Sequence, residues 1–238
     1  MKFNLKKFET SPQFHARIAG ILYLVIIIAG FFAETFVRNK LFVSGDANAT
    51  ANNIIHSEFL WKIGITADLI MQICDLPVMI ILYYLLKPVS RKLALLNLSF
   101  NLIQTAVLVA NKLNLLAALF FLGDAEYLKS FTPDQLHTLS YLSIKLHDFG
   151  FGVGLIFFGF VCLIEGYLIF KSGYFPKAIG VLMALAGICY LTNSFALILA
   201  PQFSSITLLL PCVIAELSLS LWLIFKGVNI PLWKQKFI

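Results

Sequence analysis

Six carboxylates, Glu34, Asp68, Asp75, Asp148, Glu165 and Glu216, stand inside or at the edges of long apolar stretches. Acids are uncommon in such places. A charge at the centre of a membrane helix costs about 2.5–3.5 kcal/mol on insertion scales, so these residues should face a bundle interior and have partners or a function. Asp75 and Glu216 are nearest the middle of their stretches, and Lys112 is the one base at comparable depth. Most of the acids must therefore be protonated, hydrated, hydrogen-bonded or bound to a cation. The chemistry this implies is the handling of protons or cations.

Spacing sorts these residues further. Asp68, Gln72 and Asp75 fall at i, i+4 and i+7, on one helix face. Asn97, Asn101, Gln104 and Asn111 form a second seam, with Lys112 beside it. By depth, Asp68, Asn111, Lys112, Asn114, His147, Asp148 and Asn193 share the outer half, which predicts a polar cavity opening outward. The candidate cavity residues are Asp68, Gln72, Asp75, Gln104, Asn111, Lys112, His147, Asp148, Asn193 and Glu216. The plainer reading of the Asn and Gln seam is interhelical hydrogen bonding that sets register, worth about 0.6 kcal/mol per contact.

His147 with Asp148, near Asp68, could relay protons or ligate a metal, and His56 and His137 could complete a zinc site. No His-x-x-x-His or Glu-x-x-His spacing supports that site, so no metal is assigned. His147 and Glu165 are five helical turns apart and cannot form a catalytic pair; Glu165 is expected close to the cytoplasmic interface. Glu34 and Arg38, four apart, read as an ion pair at the outer end of the first span. Pro77 and Pro211 each free a carbonyl one turn earlier, at Ile73 and Thr207, near Asp75 and Glu216. The four cysteines form no Cys-x-x-Cys and read as small apolar packing residues. No cofactor is assigned.

The elements that must position these groups follow from composition. Of 238 residues, 60% are hydrophobic and 13% charged, against roughly 25% charged in a soluble domain. Six stretches reach the roughly 20 residues needed to span a bilayer: 15–37, 59–86, 93–122, 146–170, 175–199 and 205–225. They are continuously apolar, which excludes the alternation of barrel strands. The fold class is all-α: one transmembrane domain over residues 1–238, a bundle of six helices. The first span is too long for a cleaved signal and is expected to remain.

Twelve of the eighteen Lys and Arg residues, Lys2, Lys6 and Lys7 among them, fall on the side of the termini, which predicts both termini in the cytoplasm. The net charge of +6 then faces anionic lipid, and no basic stretch interleaved with aromatics points to nucleic acid. Both larger loops are outside, each with a short interfacial helix, over 45–56 and 132–146. The second opens on Thr132-Pro133-Asp134-Gln135, a capping box. Gly152, Gly159 and Gly166 on the fourth span, and Gly173, Gly180 and Gly187 on the fifth, recur at sevens and predict a close antiparallel hairpin.

Several motifs together resemble a bacterial membrane family catalogued as domain of unknown function 4386. They are Ala16-Arg17-Ile18-Ala19-Gly20, Gly45-Asp46-Ala47 with Ala49-Thr50, Ala67-Asp68-Leu69 with Cys74-Asp75, His147 with Gly150, Gly154 and Gly159, Gly166 through Tyr174, and Glu216 leading to Leu221-Trp222-Leu223 and Lys226-Gly227-Val228. The resemblance covers nearly the whole chain. It implies a multi-pass membrane protein and places Asp68, Asp75, His147 and Glu216 in the family's pattern, while supplying no activity.

Three functional classes remain. A small transporter would use Asp75 and Glu216 as proton or cation sites, with Asp68 and Lys112 guarding the outer entrance. A membrane enzyme acting on a lipid or amphiphile would use His147, Asp148 and Asp68, although no nucleophile with an attached base can be pointed to in the sequence. The third class is a sensor or partner subunit. The two halves show no matching motifs, so an inverted repeat is not supported. The bilayer is the expected environment and a small molecule or ion the candidate ligand; oligomeric state is open.

Overall fold

The computed structural model describes residues 12–236. Lys2, Lys6 and Lys7, used in the orientation count, lie outside the described residues. Helix α1 covers Pro12–Leu41 and contains a π-helical turn over Phe32–Arg38. It is followed by α2 (Ala47–His56), α3 (Glu58–Leu86), α4 (Arg91–Phe121) and α5 (Pro133–Ser172). The chain ends in α6 (Lys177–Leu199), α7 (Leu210–Phe225) and α8 (Ile230–Gln235). Six spans, α1, α3 to α6, and α7 together with the turn before it (Thr207–Phe225), are long and apolar enough to cross a membrane, and the described residues contain no strand.

Each spanning helix packs on its neighbour in chain order, and α7 returns to α1, so the packing closes into a ring. Gln13 holds that closure: its amide donates to the Lys226 carbonyl at 2.8 Å and accepts from Val228 N–H at 2.9 Å. Both described ends therefore share one side of the bundle, called here the terminal side; the other is the far side. Leucine and isoleucine side chains such as Ile28, Ile73, Ile80, Leu113 and Leu199 are exposed around the outside, as lipid contact requires. Inside, Leu85, Leu86, Leu168, Ile169, Leu219 and Leu223 belong to the larger apolar core. A smaller core on the far side includes Val37, Ile54, Trp61, Leu115 and Ile144.

The glycine hairpin is present. A Cβ on Gly166 would stand 2.6 Å from Gly180 O and Ala184 N, and one on Gly187 would stand 2.7 Å from Gly159 O. Backbones of α5 and α6 thus touch where side chains are missing, the packing mode that lipid-embedded helices favour. Gly173, grouped with that ridge by spacing, instead takes a left-handed φ of 77° and caps α5, turning the chain toward α6.

Two further features depart from the sequence reading. The capping box at Thr132 and Gln135 forms, but the helix it starts runs without interruption to Ser172. At 40 residues and 1.5 Å per residue, α5 is about 60 Å long, about twice the hydrocarbon thickness. No Gly or Pro falls between Asp134 and Phe149, so nothing separates the interfacial segment from the span. Its first turns hold α2 across the far side: Asn48 Nδ2 donates to Asp134 Oδ1 at 3.3 Å, and Gly45 N–H donates to the Tyr141 hydroxyl at 2.9 Å. Pro211, expected to kink a span starting at 205, lies in the first turn of α7, where its missing N–H costs no helix bond. The Thr207 carbonyl, expected to be freed, accepts from Leu210 N–H.

Candidate functional site

The far half of the bundle is closed by a buried charge network. The π-helical turn at the end of α1 is recorded in the bond from Asn39 N–H to Glu34 O, five residues back. Arg38 on this turn is 9% exposed; its Nε lies 2.7 Å from Glu34 Oε2 and its Nη1 2.6 Å from Asp68 Oδ2. Lys112 Nζ donates to the same Asp68 oxygen at 3.0 Å and stands 3.2 Å from His147 Nε2. An ammonium group has no acceptor, so Nε2 accepts and the ring proton sits on Nδ1. Asp148 Oδ1 is 3.7 Å from that Nδ1. Two acids and two bases balance each other, the condition under which burial of charge is tolerable.

About seven residues along α3 from Asp68, or roughly 10 Å toward the terminal side, the composition of the interior changes. All six spanning helices enclose a cavity of about 120 Å³. It is lined by Tyr23 from α1, Gln72 and Asp75 from α3, Asn101 and Gln104 from α4, Glu165 from α5, Tyr190 from α6 and Glu216 from α7. Phe151 and Phe158 of α5 add aromatic wall. The volume is roughly ten times what one water needs.

Three carboxylates therefore share one cavity, and no Lys, Arg or His lines it among the described residues. They stand on α3, α5 and α7, which all run from the far side to the terminal side. Asp75 is eleven residues before the end of α3, Glu165 seven before the end of α5 and Glu216 nine before the end of α7. These offsets correspond to about 10–17 Å, close to the middle of a 30 Å hydrocarbon core. Asp75 Oδ2 accepts from Thr105 Oγ1 of α4 at 2.5 Å, and Glu216 Oε1 accepts from the Tyr190 hydroxyl of α6. Glu165 is 3% exposed, and among the described residues its Oε1 has no hydrogen-bond partner; the same holds for Gln72 Oε1 and Asn101 Oδ1.

The family model described as "Domain of unknown function (DUF4386)" matches residues 18–227. The chain belongs to this family. An uncharacterised protein of Archaeoglobus fulgidus is 26% identical over 166 residues, covering 69% of this chain and 83% of that protein. No solved structure matches. The matched span of DUF4386 runs from α1 past the end of α7 and so contains both the charge network and the cavity.

In this DUF4386 chain the candidate residues divide into separate groups. Gln72, Asp75, Gln104 and Glu216 line the cavity, whereas Asp68, Lys112 and His147 belong to the network. Asn111 braces that network, donating to the His147 carbonyl at 2.9 Å. Asp148 lies at its rim with its side chain 47% exposed. Asn193 belongs to neither: its Oδ1 accepts from Ser205 N–H at 2.9 Å and Ser204 Oγ at 3.2 Å, fixing the segment before α7. Depth along a span does not give rotation about it, and so the outer-half residues do not gather around an outward-opening cavity.

The two polar seams also split. Asn97 and Asn111 tie α4 to α5, through Val161 O at 2.8 Å and His147 O, while Asn101 and Gln104 face the cavity. His137 and His56 bond to Asn48 and Asn52 O on the far side. No group of three His, Cys, Asp or Glu among the described residues is placed to hold a metal ion. Glu165 is a correction: it is buried in the cavity and not beside the interface. Asn101, Tyr23 and Tyr190 were missed as cavity residues, and Arg38 as a second buried base. Asn101 had the seam spacing as a signal; the tyrosines had none, since a tyrosine in an apolar run reads as packing.

Proposed function

We propose that this membrane protein is a small transporter whose central carboxylates are its proton or cation sites. The observation that carries the reading is the placement of Asp75, Glu165 and Glu216 in one mid-bundle cavity without a base. Three acids at that depth bring no packing advantage that leucine would not exceed, so their cost must be offset by what they bind. The Arg38, Asp68 and Lys112 network lies between this cavity and the far side and acts as the gate there. Its charges are paired among themselves, which leaves the cavity acids free for the cargo. The terminal side faces the cytoplasm, because most of the Lys and Arg residues are there, and the host membrane is the cytoplasmic membrane.

The membrane-enzyme reading loses support at the same site. Asp68, Lys112 and His147 are committed to one another, and among the described residues no Ser, Thr, Cys or Tyr side chain is hydrogen-bonded to any of the three. The test is flux in proteoliposomes loaded with a pH dye and exposed in turn to proton, sodium and potassium gradients and to an organic ammonium gradient. Saturable flux of at least one of these is expected from the wild type and a loss of tenfold or more from Glu216→Gln. Absence of any protein-dependent flux overturns the reading.

A further inference from the structure

The unpartnered atoms of the central cavity are all of one kind. Gln72 Oε1, Asn101 Oδ1 and Glu165 Oε1 are oxygens without hydrogen-bond partners among the described residues, on residues 3%, 5% and 3% exposed. Buried polar atoms are normally satisfied, and a native exception calls for a group that satisfies it. A ligand fitting here must donate hydrogen bonds in more than one direction. Glu165, which has no amide orientation to assign, makes that demand by itself.

Charge narrows the class. Asp75 has the side chains of Thr105 and Asn101 as hydrogen-bond partners and Glu216 has Tyr190, and no base lines the cavity beside the three carboxylates among the described residues. The cavity therefore selects a cation. A bare calcium or magnesium ion needs several oxygens at about 2.0–2.6 Å around one point, and no group of three His, Cys, Asp or Glu among the described residues is placed to hold a metal ion. An ammonium with several N–H bonds, spread over a larger volume, suits acceptors placed around a wall.

The remaining lining is apolar and aromatic. Tyr23, Phe151, Phe158 and Tyr190 surround the acids, and ring faces attract cations while their bodies pack against apolar groups. Space sets the size. An apolar cavity of about 150 Å³ engineered in another protein holds benzene, and this one encloses about 120 Å³.

Resting on the transporter reading, we infer that the cargo is a small primary ammonium with an apolar body of about six to eight non-hydrogen atoms, its N–H bonds directed at Glu165, Gln72 and Asn101. No bond is made or broken on binding. The ammonium charge is countered by the acids, and its donors fill the three open acceptors.

The experiment is equilibrium binding to the full-length protein in detergent, with benzylammonium, benzyl alcohol and benzyltrimethylammonium as probes. Benzylammonium is expected to bind saturably, with both analogues at least tenfold weaker, since one lacks the charge and the other the N–H donors. Glu165→Gln and Gln72→Leu, checked for unchanged melting, are each expected to weaken benzylammonium at least tenfold. Equal affinity for benzyltrimethylammonium overturns the donor assignment, and unchanged affinity in both variants places the site elsewhere. If the wild type shows no saturable benzylammonium binding while proteoliposomes carry a proton or alkali-cation flux that depends on Glu216, this inference fails and the transporter reading stands. If both are absent, both fail.

Discussion

Arg38 Nη1 stands 2.6 Å from Asp68 Oδ2, joining the π-helical turn of α1 to the middle of α3. The same carboxylate oxygen accepts from Lys112 of α4 at 3.0 Å. One acid therefore holds two cations that would otherwise repel each other in a buried site. Its own side chain is 1% exposed, so water cannot replace it.

The two partners of this network are not equivalent. Asp68→Asn leaves Lys112 uncompensated and Arg38 with Glu34 alone, and is expected to lower unfolding free energy by about 3–5 kcal/mol, the usual range for breaking a buried pair. Lys112→Met leaves Asp68 paired with Arg38 and should cost clearly less. Reversible unfolding in bicelles measures both, and an equal loss would contradict the arrangement.

Close backbone contact between α5 and α6 makes a different demand. Gly166→Ala would put a Cβ 2.6 Å from two backbone atoms of α6, which cannot move as a side chain tip can. A loss of about 1–3 kcal/mol is expected, typical of overpacking. Gly123→Ala, whose Cβ would meet nothing nearer than 3.4 Å, is the control and should be close to neutral.

On the far side, the pairing of Asn48 with Asp134 depends on α5 continuing outward as one helix. A chain carrying Asn48→Cys and Asp134→Cys should therefore cross-link within one molecule through a short thiol-reactive reagent. Mass spectrometry of the linked peptides reads the result against wild type with its four native cysteines. An α2 that lies apart on the lipid surface would give no link.

Much of this architecture was legible in the residues themselves. Six spans, the capping box at Thr132 and the Gly159, Gly166, Gly180 and Gly187 hairpin each depend on local pattern or on the absence of a side chain. The site was less so. Asp75 and Glu216 announced themselves by depth, but Glu165 joined them only because α5 presents that face to the cavity, which no spacing within α5 reveals. The Arg38 pair with Glu34 follows from ordinary i, i+4 spacing and is present, but the second pair, with Asp68 of α3, joins two helices and is not legible in either alone. Rotation of a helix about its own axis is set by its neighbours, and a single chain's pattern leaves it open wherever polar residues occupy more than one face.

In the transporter proposed here, Asp75, Glu165 and Glu216 act together on the transported cation. Flux measured side by side in proteoliposomes for wild type, Asp75→Asn, Glu165→Gln, Glu216→Gln and Asp148→Asn tests it most directly. Each cavity variant is expected to lose at least tenfold of the cation flux while Asp148→Asn, at the rim with its side chain 47% exposed, retains wild-type rates. Undiminished flux in the three cavity variants, or an equal loss in Asp148→Asn, would contradict the account.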